Sequence, residues 1–244
     1  MIQLPTEPRV VSKEGNKVVF EIRPLHPGYG MTIGNTLRRV LLSSMEGASI
    51  TSVKIRGVNH EFSTIPGVLE DVVDIILNLK KVRFKSFKDE PVVVTLAVKG
   101  QKEITAGDIK TTADVEIVNP DTHIVTITDK KVEFEAEITV ERGVGYVPVE
   151  QRQKEKLSIG KIAVDAIFTP IKNVNFTIEN IRVGQRTDYN KVLLDVETDG
   201  SIAPEAALKE AAKILIDHFN IINAIEVPMD EATEGKKPKK TKKK

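Results

Sequence analysis

The stretch that most restricts the possible folds is the last helical one, "DGSIAPEAALKEAAKILIDHFNIINAI" (199–225). At helical spacing, Leu208, Ala211, Ala212, Leu215, Phe219 and Ile222 form one apolar stripe, with Ile214, His218, Ile221 and Ile225 as a second beside it. Lys209, Glu210, Lys213, Asp217 and Asn220 fill the remainder, and Pro204 suits the first turn. The apolar arc spans roughly 200°, about twice what a helix lying on its own domain requires. Such a helix is either central to a large core or shared with a second subunit. A strand-rich chain of 244 residues has little with which to surround it. The reading therefore favours a subunit interface, since obligate dimer interfaces resemble a domain core cut in half.

The rest of the chain reads mostly as strands. "KVVFEI" places Val18, Phe20 and Ile22 on one face, and "RPLHPGYG" then signals a loop. A helix is expected from about Ile33 to Met45, with Thr32 as its N-cap. After the strand and turn of "TSVKIRGVNHEF", "STIPGVLEDVVDIILNLKKV" reads as a second helix, with Val68, Val72, Ile75, Ile76 and Leu79 at helical spacing and Pro66 near its start. From about 91 to 149 the period changes to two, in "PVVVTLAV", "ADVEIV", "HIVTIT" and "KVEFEAEITVE". In the last of these, Val132, Phe134, Ala136, Ile138 and Val140 face inward, and Glu133, Glu135, Glu137, Thr139 and Glu141 face water. Two further strands, "NVNFTIENIRV" and "KVLLDVET", precede the last helix. Strands without regular βαβ alternation, plus three separated helices, predict an α+β fold.

Composition excludes several functional classes. No run approaches the ~20 apolar residues that a bilayer crossing needs. The opening "MIQLPTEPRVVSKEG" lacks the basic start and apolar core of a signal peptide. The absence of cysteine excludes disulfides and thiolate metal sites and fits a cytoplasmic protein. The segment "KKPKKTKKK" (236–244) carries seven lysines and no acid. Without it, 29 of the 36 basic residues face 35 acidic ones, so the body is acidic and has no basic footprint for nucleic acid. The tail reads as a solvated, disordered end; a nucleic-acid-binding arm is the alternative.

Gly28, Gly30 and Gly34 lie between a strand and a helix, where a dinucleotide loop would lie. Their G-x-G-x-x-x-G spacing is one residue too long for that fingerprint, and no Gly-Lys-Ser/Thr follows to make a Walker loop. The glycines read better as a tight, positive-φ entry into the helix. His26, His60, His123 and His218 share no metal-ligand spacing, and nothing marks a catalytic site or a cofactor.

On the first helix, Ile33, Leu37, Val40 and Leu41 make one ordinary stripe. Leu42 falls at about 180° from Ile33, among Asn35, Arg38 and Arg39. An apolar anchor rimmed by cationic donors has the form of a small protein contact, the alternative being a solvated back face.

The run "GYGMTIGNTLRRVLLSSMEGASITSVKIRGVNHEFSTIPGVLEDVVDIILNLKKV" resembles the N-terminal domain of the bacterial RNA polymerase alpha subunit family. The resemblance continues through "TAGDI", "VERGVGYVP", "VDAIFTPIKNV", "RVGQRTDYNKVLLDVETDGSI" and "PEAALKEAAKIL", covering about residues 10–228. It implies a non-catalytic homodimer that serves as the platform on which the β and β′ subunits assemble, without small-molecule substrate, cofactor or membrane, and with little DNA contact of its own. It also implies a dimerisation domain built from both chain ends (1–48 plus 170–228), interrupted by a β-rich insert domain (49–169) and followed by the lysine-rich tail (229–244). By the same resemblance, Ile33, Leu37, Val40, Leu41, Leu208, Leu215, Phe219 and Ile222 are expected at the dimer interface. Arg39 and Leu42, with Arg38 beside them, correspond to positions that hold β; Lys80, Ile171 and Arg182 correspond to positions associated with β′. The family continues into a C-terminal DNA-contacting domain where this sequence has the lysine-rich segment, so promoter-element recognition does not carry over.

Overall fold

The computed structural model describes residues 2–152 and 160–225; residues 226–228, the end of the expected dimerisation domain, and the tail 229–244 lie outside the described residues. The chain begins with β1 (Arg9–Glu14), β2 (Lys17–Leu25), α1 (Tyr29–Ser44) and β3 (Glu46–Ile55). Next come α2 (Val72–Leu79), β4 (Phe84–Ser86), β5 (Val92–Lys99), β6 (Lys102–Thr105), β7 (Ile109–Lys110), β8 (Val115–Ile117) and β9 (His123–Ile127). β10 (Glu133–Val144), β11 (Tyr146–Val147), the short α3 (Val149–Arg152), β12 (Lys161–Ala163) and β13 (Ala166–Ile167) follow. A long hairpin of β14 (Ile171–Val183) and β15 (Arg186–Thr198) leads to α4 (Pro204–Asn223). The mixture of helix and antiparallel sheet is α+β, as the patterning predicts.

Two cores organise these elements. The first sheet has the order β1-β2-β15-β14 and is antiparallel throughout. Strand alternation turns Val18, Phe20 and Ile22 of β2 and Val192, Leu194 and Val196 of β15 toward α1 and α4, where they meet Leu37, Leu41, Ala207 and Ala211. The opposite face carries ion pairs such as Lys191–Glu179 (2.6 Å) and Lys17–Asp195 (3.1 Å). The second core lies under a sheet of order β7-β5-β10-β3-β4-β8, with β12 also paired to β3. Phe134, Ala136, Ile138 and Val140 of β10 point into it, beside Val72, Ile75 and Leu79 of α2.

The backbone passes between the cores twice. Met45 belongs to the first core and Ile50 to the second; on the return, Val164 belongs to the second and Ile171 to the first. Phe168 lies buried at the crossing and belongs to neither cluster. Its amide donates to the Gly145 carbonyl (2.8 Å), and a Cβ added at Gly143 would stand 2.7 Å from its ring. Only glycine permits so close a passage.

Local expectations fail where a distant partner decides. β2 continues through Pro24 to Leu25 instead of ending in a loop. Its pairing with β1 begins at Glu21, so the missing Pro24 amide costs no ladder bond, and Leu25 pairs instead with Asn190. The second helix holds only residues 72–79. Asp71 caps it by accepting from the Asp74 amide (2.7 Å), while Val68 bridges to Ile127, which draws the preceding residues onto β9. Thr139 is buried instead of solvated, because the β10–β3 register shifts between Thr139 and Val140.

Candidate functional site

α1 begins four residues before the expected Ile33, and Thr32 is not its cap. The cap position is Gly28, at φ 87°, in the left-handed region that favours glycine. The orphan amides of the first turn are satisfied from the far end of the chain. Asn190 Oδ1 accepts from the Gly28 amide (3.0 Å) and the Gly30 amide (3.3 Å), while its Nδ2 donates to Asn180 Oδ1 (3.1 Å). Gly34 lies within the helix, where a Cβ would stand 2.6 Å from the Phe176 ring. The glycine cluster therefore serves helix-to-sheet packing, and amides that could cradle a phosphate are already engaged. Sequence reading missed Asn190, yet a signal existed: it is a polar residue in phase with the inward-facing Val192, Leu194 and Val196.

Of the stripe expected at a dimer interface, Leu37 and Leu41 are buried within this chain and Ile33 and Val40 are half-buried. Leu37 and Leu41 hold α1 onto its own sheet, which removes them from any surface. On the back face, Arg38 and Arg39 are exposed and Leu42 retains 40% of its surface. Neither arginine forms an ion pair with a described residue.

α4 is held chiefly by its first half, where Pro204, Ala207 and Ala211 are buried. Leu208 and Leu215 are half-buried. Beyond them the apolar surface stands free: Phe219 and Ile222 are each 59% exposed, and Ile216, Ile221 and Ile225 are exposed as well.

The residues expected to meet β′ occupy unlike places. Lys80, at the end of α2, lies 3.6 Å from Asp165. It borders a groove of about 300 Å³ lined by Phe62, Ile76, Leu77 and Val164. Arg182 is exposed near the β14–β15 turn, its Nε donating to the Gly184 carbonyl (2.9 Å). Ile171 is buried in the first core, because it is the first inward residue of β14, and offers no side chain to a partner. Arg182 and Lys80 thus sit in different units.

One connection was not legible in the sequence. The turn after β10 brings Gly145 beside the Ser43 carbonyl at the end of α1. Tyr146 follows, paired with Ile167. Its phenol is pushed up by desolvation and by the neighbouring Asp165 carboxylate, the same group that faces Lys80. Leu42 and Lys80 are therefore linked by a continuous path of neighbours across both units.

A polar cluster pins the segment ahead of α2. Glu70 accepts from the Thr126 amide (2.7 Å) and hydroxyl (3.0 Å) and lies 2.8 Å from His123 Nε2. Desolvation alone would raise its carboxyl, but these hydrogen bonds hold it below the ordinary value.

Comparison with known proteins gives these features a family context. A family model described as the RNA polymerase Rpb3/RpoA insert domain matches residues 53–169. The DNA-directed RNA polymerase subunit alpha of Symbiobacterium thermophilum is 52% identical over 222 residues, which is 91% of this chain and 70% of that protein. The namesakes from Flavobacterium psychrophilum (55% over 207 residues, 84% of this chain and 62% of the relative) and Moorella thermoacetica (52% over 224 residues, 91% and 71%) agree with it. With identity at this level over about nine-tenths of its length, the chain belongs to the family of DNA-directed RNA polymerase alpha subunits.

Proposed function

We propose that this chain is a non-catalytic assembly subunit of a cytoplasmic RNA polymerase: two copies dimerise, and the dimer holds the larger β and β′ subunits. The observation that carries the reading is the distal half of α4. A protein whose own core is complete leaves Phe219, Ile221, Ile222 and Ile225 in water, an arrangement that favours burial against a second copy. Leu208 and Leu215, with Ile33 and Val40 of α1, continue that face at half burial.

Arg38, Arg39 and Leu42 are the contact offered to β. Two guanidiniums without an ion-pair partner among the described residues, around one exposed leucine, suit a partner with carboxylates around an apolar pocket. Lys80 and Arg182 are assigned to β′; the burial of Ile171 removes it from that assignment. Identical chains in a dimer have unlike surroundings once one copy engages β and the other β′, which accounts for contact positions on separate faces.

Sedimentation of the purified chain tests the dimer, and capture of purified β by the chain tests the contact. Leu42→Asp or Arg39→Ala should keep the dimer and lose β. A stable monomer in the unmodified chain would refute the platform.

A further inference from the structure

His123, at the start of β9, stands between two carboxylates from different elements. Its Nε2 lies 2.8 Å from Glu70, in the segment ahead of α2, and its Nδ1 lies 3.1 Å from Glu103 on β6. Nδ1 is buried and, although Glu103 is near, forms no hydrogen bond with a described residue. Neither acid has another ion-pair partner among the described residues. A neutral imidazole has one N–H and one lone pair, so it satisfies one acid and turns the lone pair toward the other. An imidazolium donates from both nitrogens and attracts both acids.

The other charges at this end of the unit are few. Asp108, in the turn after β6, is engaged by Lys102 (2.5 Å) and by the Thr105 amide (3.1 Å). Asp71, next to Glu70, is spent on capping α2. Asp121, in the turn before β9, precedes a strand with no charged side chain beyond His123 itself. His60, near the start of the segment, has its Nδ1 3.2 Å from the Ser63 hydroxyl.

The ring stands where it controls a piece of backbone. The Leu69 amide donates to the Thr126 carbonyl (3.0 Å) and the Thr128 amide to the Gly67 carbonyl (2.9 Å), which lays the segment ahead of α2 on β9. Glu61 and Phe62, at the start of that segment, form one wall of the groove that Ile76, Leu77 and Lys80 also line.

We propose that His123 is a pH-sensitive latch: protonated, it clasps Glu70 and Glu103 and holds the segment ahead of α2 on β9, and on losing its proton it loosens that segment and the groove wall it carries. The hydrogen bonds from Thr126 keep Glu70 in place, so the remaining N–H stays with Glu70. The lone pair then faces Glu103, whose side chain is 69% exposed and turns to water. The ring itself keeps 36% of its surface and exchanges its proton with solvent directly. Clasping favours the charged ring. The latch is therefore closed at the acid end of the range in which histidine changes charge, about pH 5 to 8, and opens as pH rises.

The test is amide hydrogen exchange on the purified full chain between about pH 5.5 and 8.5, corrected for the intrinsic effect of pH on exchange. The Leu69 and Val72 amides, which donate to Thr126 and Ser63, should lose about fivefold in protection relative to the amides of β15 as pH rises, the upper range for a partly exposed ion pair. His123→Gln should abolish this dependence, and His60→Gln should leave it intact. Protection that does not change with pH in the unmodified chain overturns the latch, as does a dependence that survives His123→Gln or disappears in His60→Gln. Should His123→Gln fail to fold, Glu103→Gln decides: it keeps the ring and should at least halve the dependence, and an unchanged dependence overturns the proposal.

Discussion

α1 and α4 look alike in sequence, each carrying more apolar surface than a helix on its own domain needs, yet the protein treats them differently. α1 is pinned along its length, with Asn190 at its start, Phe176 against Gly34, and Leu37 and Leu41 in the core. Its surplus is Leu42 among cations on the back face, with Tyr29 and Met31 exposed in the first turn. α4 is pinned for about half its length, and its surplus is a whole apolar flank. A small excess surrounded by charge suits docking onto a different protein; a large uncharged one suits pairing with itself. On the proposed reading, similar patterning serves two kinds of association.

The comparison breaks most readily at α4. The double substitution Phe219→Asp and Ile222→Asp should cost upward of about 4 kcal/mol of dimer stability, two interface anchors at ~2 kcal/mol each, and give monomer or aggregate on sedimentation. An unchanged dimer would show that the exposed flank serves something else. On α1 the corresponding test is the long-range cap. Asn190→Ala should destabilise the fold by about 1–2 kcal/mol in chemical denaturation, although it lies 162 residues from the amide it satisfies.

Gly34→Ala separates propensity from packing. Helix propensity alone would make it stabilising by ~1 kcal/mol. The approach of Phe176 should reverse the sign and lower the thermal midpoint by several degrees, since overpacking costs about 1–3 kcal/mol. α2 extends the comparison, because it too is set in place by a distant strand. Glu70→Gln should cost about 1 kcal/mol at neutral pH. The native carboxyl titrates below its unfolded value, so its contribution is present above about pH 5 and is lost as pH falls through the lowered native pKa. The stability curves of the two proteins should therefore converge in acid. The smallest effect on the fold belongs to Leu42→Asp, within about 0.5 kcal/mol of the unmodified protein, with the whole consequence appearing in β capture.

What was legible in the sequence followed from short-range periodicity. The inward sets Val18–Phe20–Ile22 and Phe134–Ala136–Ile138, the first turn of α4 at Pro204, and the lone Leu42 among arginines need only the repeat of a strand or helix to be placed. Helix starts were less legible. Thr32 had the right chemistry for a cap, but Asn190 supplied it from another strand; Pro66 had the right position, but the bridge from Val68 to β9 kept that segment out of the helix. Ile171 matched a contact position by resemblance and is buried, because alignment carries no information on which way a strand begins to alternate.

By itself, then, the sequence determined which residues seek an apolar environment, with what period, and that the supply exceeds what one chain can enclose. Those properties reside in the covalent chain and in neighbours a few residues apart. Tertiary structure alone decided where the surplus emerges: at Leu42 and the first turn of α1, along half of α4, and at Tyr146 and Ile167 where two passes of the backbone cross. That outcome depends on contacts between residues more than a hundred positions apart, as between Gly28 and Asn190 or Ser43 and Gly145, and no local period encodes such pairings.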